Sequence, residues 1–120
     1  MQTKIGSIVV KCKKFDEMLE FWQEALHYIP GRPLEDGFVI LRDLEGKGPN
    51  LSLDKALERE QVASTRSPRL HLDLYADDQE GEVKRLLGIG ATRHPQTYDP
   101  EDDFIVLEDP DGNLFCVVQT

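Results

Sequence analysis

No apolar run in the chain approaches the ~20 residues that a membrane-spanning helix needs, which excludes a helical span. Met1-Gln-Thr-Lys4 leads directly into an apolar strand pattern. A basic segment followed by a long apolar core, the signature of an export signal, is therefore missing. Cysteine is scarce, with two residues, Cys12 and Cys116. Without an export signal these are expected to be reduced thiols in the cytoplasm rather than a disulfide framework. Positive charge is also short, 14 Lys and Arg against 23 Asp and Glu, leaving a net charge of −9. Nucleic acid and anionic membrane surfaces would repel such a chain, so neither is expected as a partner. Phosphate-binding Gly loops, dinucleotide Gly motifs, metalloprotease helices and Ser-elbow motifs are all missing.

What remains is 120 residues, 39% hydrophobic and 31% charged, the size and composition of one folded domain. Residues 4–11 are rich in β-branched side chains and predict a strand. From Phe15 the period changes: Phe15, Met18, Leu19, Trp22, Ala25 and Leu26 form one stripe of an amphipathic helix, with Asp16, Glu17, Glu20, Gln23 and Glu24 opposite. Tyr28-Ile-Pro-Gly31 closes it. A short strand is expected over 29–34, and others over 38–41 and 51–53. Residues 55–68 read as a connector.

The same order then recurs. Leu70-His-Leu-Asp-Leu-Tyr75 alternates, and Asp77 and Asp78 offer helix caps. Val83, Leu86 and Leu87 make a second helical stripe closed by Gly88 and Gly90, and strands follow over 91–96, 104–108 and 114–119. Each half reads βαβββ, with Leu41-Arg-Asp-Leu-Glu-Gly46 echoed by Leu107-Glu-Asp-Pro-Asp-Gly112. Duplication is the economical account. Its modules cover 1–54 and 69–120.

Three segments carry a family resemblance: Phe15-Asp-Glu-Met-Leu-Glu-Phe-Trp-Gln-Glu-Ala-Leu26, Leu70-His-Leu-Asp-Leu74 with Gly90-Ala91, and Val106-Leu-Glu-Asp-Pro-Asp-Gly-Asn113. With them the chain resembles the vicinal oxygen chelate superfamily of glyoxalases, bleomycin-resistance proteins and extradiol dioxygenases, and within it the glyoxalase-like domains. The resemblance implies an α+β fold in which two βαβββ modules form a curled mixed sheet around a cavity, with the helices outside. It also implies binding of a small organic molecule and a homodimer.

In metal-dependent members, similar positions hold a divalent ion through His, Gln or Glu. Here those positions are Ser7, Leu53 (Ser52 if the register slips by one), His71 and Cys116. His71 alone is a usual ligand, so no metal and no cofactor are expected, a divalent ion being the alternative. The expected cavity residues are Ser7, Leu53, His71, Asp73, Tyr75, Phe104 and Cys116, with His71 and Asp73 as an acid/base pair. Cys116 beside His71 also suggests a thiol–imidazole pair, although a buried cysteine commonly serves as a small hydrophobe. His27 and His94 are expected at the surface, and Trp22 in the core. Tyr98, Phe38 and Phe104 offer aromatic walls. Two activities stay open beside plain ligand binding: a lyase, isomerase or dioxygenase, and an antibiotic-sequestering resistance protein.

Overall fold

The computed structural model describes residues 2–31, 36–58 and 68–120, which fall into two compact units, Met1–Val62 and Ala63–Thr120. The expected connector lies largely outside the described residues. Module one runs β1 (Ser7–Cys12), α1 (Phe15–Leu26), β2 (Ile29–Pro30), β3 (Phe38–Arg42) and β4 (Asn50–Lys55). Module two runs β5 (Leu72–Ala76), α2 (Gln79–Gly88), β6 (Thr92–Arg93), β7 (Phe104–Glu108) and β8 (Leu114–Gln119). Both are βαβββ, and the class is α+β. Among the described residues no helix is long and apolar enough to cross a membrane.

The two sheets share one topology, β1-β4-β3-β2 and β5-β8-β7-β6. In each, the first and last strands pair in parallel and the remaining pairs are antiparallel. A parallel neighbour requires a crossover, and the helix with two intervening strands supplies it.

Each helix covers one face of its sheet. On α1 the buried side chains are Met18, Phe21, Trp22 and Ala25, with Phe21 and Trp22 meeting edge to face at a centroid distance of 5.1 Å. The stripe is turned toward Phe21 relative to the sequence expectation, leaving Leu19 and Leu26 half-buried. In module two Val83 and Leu86 of α2 are buried, as are Leu107, Phe115 and Val117 of the sheet. Asp78 caps α2 by accepting from Gly81 N at 3.1 Å, as its place before the apolar stripe foretells.

The two echoed turns prove to be one structure made twice. Asp43 O accepts from Gly46 N at 3.0 Å and Asp109 O from Gly112 N at 2.9 Å. Each carboxylate also accepts from the backbone two residues on, Glu45 N and Asp111 N, both at 3.0 Å. Gly46 and Gly112 take φ of 68° and 87°, values that glycine adopts without a Cβ clash.

Several expected boundaries shift. The first strand begins at Ser7 rather than residue 4 and ends at Cys12. The expected strand over 91–96 shrinks to Thr92–Arg93, with one further bond, His94 N to Val106 O at 3.2 Å, before Pro95, which has no N–H to continue a ladder. Ile29–Pro30 is likewise two residues, and residues 32–34 of that expectation lie outside the described set. Leu70, the first residue of the expected alternation, precedes β5 and is 88% exposed. The alternation it seemed to join starts two residues later, at Leu72.

Candidate functional site

Strand alternation sorts the side chains of module two. Leu72 and Leu74 sit on one face of β5 and Asp73 and Tyr75 on the other, with burial alternating to match. Asp73 is the register partner of Cys116, and Tyr75 of Val118. Cys116 in turn faces Val106, and Val118 faces Phe104. Partners across a ladder share a face, so Asp73, Tyr75, Phe104 and Cys116 lie on the sheet surface opposite α2.

His71 joins them from just before β5. Its Nε2 lies 3.1 Å from Asp73 Oδ1, with both side chains about half exposed. Donor atoms of His71, Asp73 and Cys116 all lie within 4.8 Å of one another. The sequence-predicted pair is therefore formed, and the thiol stands beside it. Burial, then the Asp73 charge and a hydrogen bond to its carboxylate, push the Cys116 thiol above its ordinary range. It is protonated at neutrality and donates to Asp73. The carboxylate thus takes contacts from imidazole and thiol alike. In a Cys–His nucleophile the imidazole must take the thiol proton; here Asp73 takes the thiol's hydrogen bond and burial disfavours the thiolate.

Module one places Ser7 Oγ 2.6 Å from Ser52 Oγ and 3.4 Å from Asn50 O. Ser52 is the register partner of Val9. An offset of 64 residues carries Val9 and Ser52 onto Asp73 and Cys116, and Ser7 onto His71. The register thus selects Ser52, not Leu53, as the counterpart of Cys116. Leu53 points to the opposite face and is wholly buried. Its apolar side chain belongs with the α1 packing.

A further pair on the module two surface escaped the sequence reading. His94 Nδ1 lies 3.1 Å from Glu108 Oε2, both side chains partly exposed. His94 is held opposite Val106 by its backbone bond and so shares the face of Cys116. His94 stays partly exposed, with the Glu108 carboxylate against its ring. A like parity of His94, Val106 and Glu108 on adjoining antiparallel strands was the available signal. Tyr98 accepts from Val106 N at 2.9 Å and meets Phe104 edge to face at 5.9 Å, which makes an aromatic corner of two of the three candidate walls. His27 caps α1 at φ 56° and is exposed. Cys12 is buried, and neither cysteine is in a disulfide. An open depression along α1, lined by Glu20, Gln23, Glu24, His27, Tyr28 and Ile29, gathers no comparable set of donors.

The ion site implied by the family resemblance can be tested on donor chemistry. Module one supplies two neutral hydroxyls that bond one another, and module two an imidazole and a thiol at the matching positions. A hard divalent ion seeks six or more oxygen donors with carboxylates among them. These residues do not fit that centre.

Comparison with known proteins agrees with the architecture. The family model described as a glyoxalase-like domain matches residues 7–118. A glyoxalase/bleomycin resistance protein/dioxygenase family enzyme from Burkholderia phytofirmans PsJN is similar at TM-score 0.72 and 17% identity, covering 98% of both chains. A glyoxalase-related enzyme from Fulvimarina pelagi gives TM-score 0.72 at 13% identity, covering 99% of this chain and 89% of that one. The trypanothione-dependent glyoxalase I of Leishmania major gives TM-score 0.72 at 14% identity, over 98% and 87%. At such identities the likeness is one of fold. No curated protein matches the sequence.

Proposed function

Because the chain belongs to the glyoxalase-like domain family, within the vicinal oxygen chelate superfamily, we propose that it binds a small organic molecule against the His71–Asp73–Cys116 face, without the superfamily's four-ligand ion centre. The observation that carries this reading is the convergence of three polar side chains, each capable of donating or accepting, on one sheet face. Tyr75 and Phe104 flank them with aromatic surface, a lining suited to a planar or partly apolar ligand. Ser7, whose hydroxyl bonds that of the buried Ser52, adds a polar group in module one. A cytoplasmic homodimer belongs to the same proposal, and a single 13.7 kDa species in sedimentation velocity would remove the dimer from it.

The test is NMR shift mapping of tag-free protein against glutathione hemithioacetals, catechols and a cationic glycopeptide antibiotic. At least one class should perturb His71, Asp73 and Cys116, with affinity at least about tenfold weaker in His71→Ala, the worth of one charged hydrogen bond. Perturbations confined to other surfaces, or indifferent to His71→Ala, overturn the assignment.

A catalytic reading has one observation in its favour, the 3.1 Å contact of His71 with Asp73. An imidazole held by a carboxylate can pass a proton to or from a bound ligand near neutral pH. Turnover of hemithioacetals or catechols that His71→Ala leaves unchanged would exclude that role. For antibiotic sequestration the measurement is salt dependence: affinity for a cationic ligand should fall as salt rises.

A further inference from the structure

We propose that the His94–Glu108 pair is a second anchor on the ligand face of module two, and that this face takes an elongated organic cation with an ammonium group at each end, a proposal that rests on the ligand-binding reading of the same face.

Register places the pair. Thr92 is the partner of Glu108 and Arg93 of Leu107, and the bond from His94 N to Val106 O carries that ladder one step further. Glu108 and Val106 share a parity, and His94, opposite Val106, reaches Glu108 diagonally. Val106 faces Cys116 and Glu108 faces Leu114, while Cys116 faces Asp73. One surface thus holds two imidazole–carboxylate pairs, His71 with Asp73 and His94 with Glu108, each at 3.1 Å and each partly exposed. Since β8 lies between β5 and β7, the two carboxylates stand two strand spacings apart, roughly 10 Å across the sheet. The floor between them is Val106, Leu114 and the Cys116 thiol.

Charge decides the ligand. Among the described strand positions of this face there is neither Lys nor Arg; Arg93 has the opposite parity. An ionised carboxylate only accepts, and offers about four lone-pair sites. Asp73 meets an imidazole and a thiol and Glu108 an imidazole, which leaves both with acceptor sites for a ligand. An ammonium group, all donor and positively charged, meets that demand at either end. A ligand carboxylate would meet like charge at both. The apolar floor suits a methylene chain between the ends.

The fold does not require the pair. In module one Gly31 N donates to Ile40 O at 2.8 Å, as His94 N does to Val106 O, and Ile29 pairs with Arg42 as Thr92 pairs with Glu108. The same corner is therefore built there from Gly31 and Arg42, with neither imidazole nor carboxylate. What distinguishes the module two corner is its chemistry.

The experiment is calorimetric titration with NMR shift mapping of the full, tag-free chain against four probes: octamethylenediamine, ethylenediamine, octylamine and suberate. Octamethylenediamine should bind at least about tenfold more tightly than octylamine, the worth of a second charged hydrogen bond, and should shift both pairs together. Ethylenediamine, too short to span them, should gain nothing over octylamine, and suberate should bind more weakly than the long diamine. Glu108→Gln, which keeps the side-chain shape, should bring the long diamine down to the octylamine level, with far-UV circular dichroism confirming the fold. A long diamine no tighter than octylamine, suberate binding as tightly as the diamine, or diamine affinity indifferent to Glu108→Gln overturns the proposal. The first two comparisons need no variant. Diamine shifts confined to His71, Asp73 and Cys116 remove the second anchor and leave the ligand-binding reading in place. Failure of that reading shows instead as hemithioacetals, catechols and the antibiotic all leaving His71 unperturbed.

Discussion

Asp43 and Asp109 build the same turn with unequal stakes. Asp109 is 4% exposed and accepts from Asp111 N, Asn113 N and Asn113 Nδ2. Removing it strands several part-buried donors, so Asp109→Ala should cost about 3 kcal/mol in urea unfolding. Asp43 is half-buried and its bonds lie mostly in exposed surroundings, so Asp43→Ala should cost less. Backbone donors, Glu45 N first, hold the Asp43 carboxyl below its ordinary range. Its contribution is whole above the unfolded carboxylate value and is lost as pH falls through the lower folded one. Tyr28 behaves oppositely. Burial first and the Asp43 charge second push its phenol up, and its hydroxyl donates to Pro49 O at 3.0 Å. The native state holds that proton more tightly than the unfolded chain does, so the contribution is whole below about pH 10 and lost above it. Alkaline melting curves of Tyr28→Phe should lack this component. At Cys116, alkylation followed by peptide mapping should show a rate that climbs only above the ordinary thiol range. Asp73→Asn should bring that profile down part of the way, burial being the larger cause.

At the scale of elements, the legible parts were those whose burial follows a local period. The expected strands over 104–108 and 114–119 match β7 and β8, because each is an apolar run ended by a turn. The short strand β6 was not legible in its length, since Pro95 ends the ladder through a missing donor rather than through polarity. Ser52 against Leu53 could not be decided from β4 alone: Leu51, Ser52 and Leu53 are all buried, and only pairing with β1 reveals the face of each. The site was half legible. His71 and Asp73 lie two apart in sequence and share a parity. The meeting of Asp73 with Cys116, however, depends on the register of strands far apart in sequence, as does the His94–Glu108 contact. Truncation reads out the two sides of β4. Leu53→Ala should cost about 2–5 kcal/mol as a core cavity, whereas Ser52→Ala should cost about 1 kcal/mol, the worth of one hydrogen bond. Equal losses in urea unfolding would contradict the facing assigned to them.

For the whole molecule, the excess of acid groups sets the response to salt. A net charge of −9 opposes compaction through self-repulsion, and raising ionic strength from about 0.01 M to about 1 M shortens the screening length from about 30 Å to about 3 Å. The melting temperature should therefore rise across that range in sodium chloride, and a fall would show that specific ion pairs outweigh the general field. The doubled topology has another consequence, one of timing. In each module the strand made last lies inside the sheet, between the strand made first and the one made just before it. On the ribosome, neither module can close its sheet until that last strand has left the exit tunnel. Until then β5 and β7 each offer an open edge to any passing strand. Such late, non-local closure makes folding slow relative to a hairpin of equal size, and it makes the final residues of each module, rather than its helix, the step on which the fold waits.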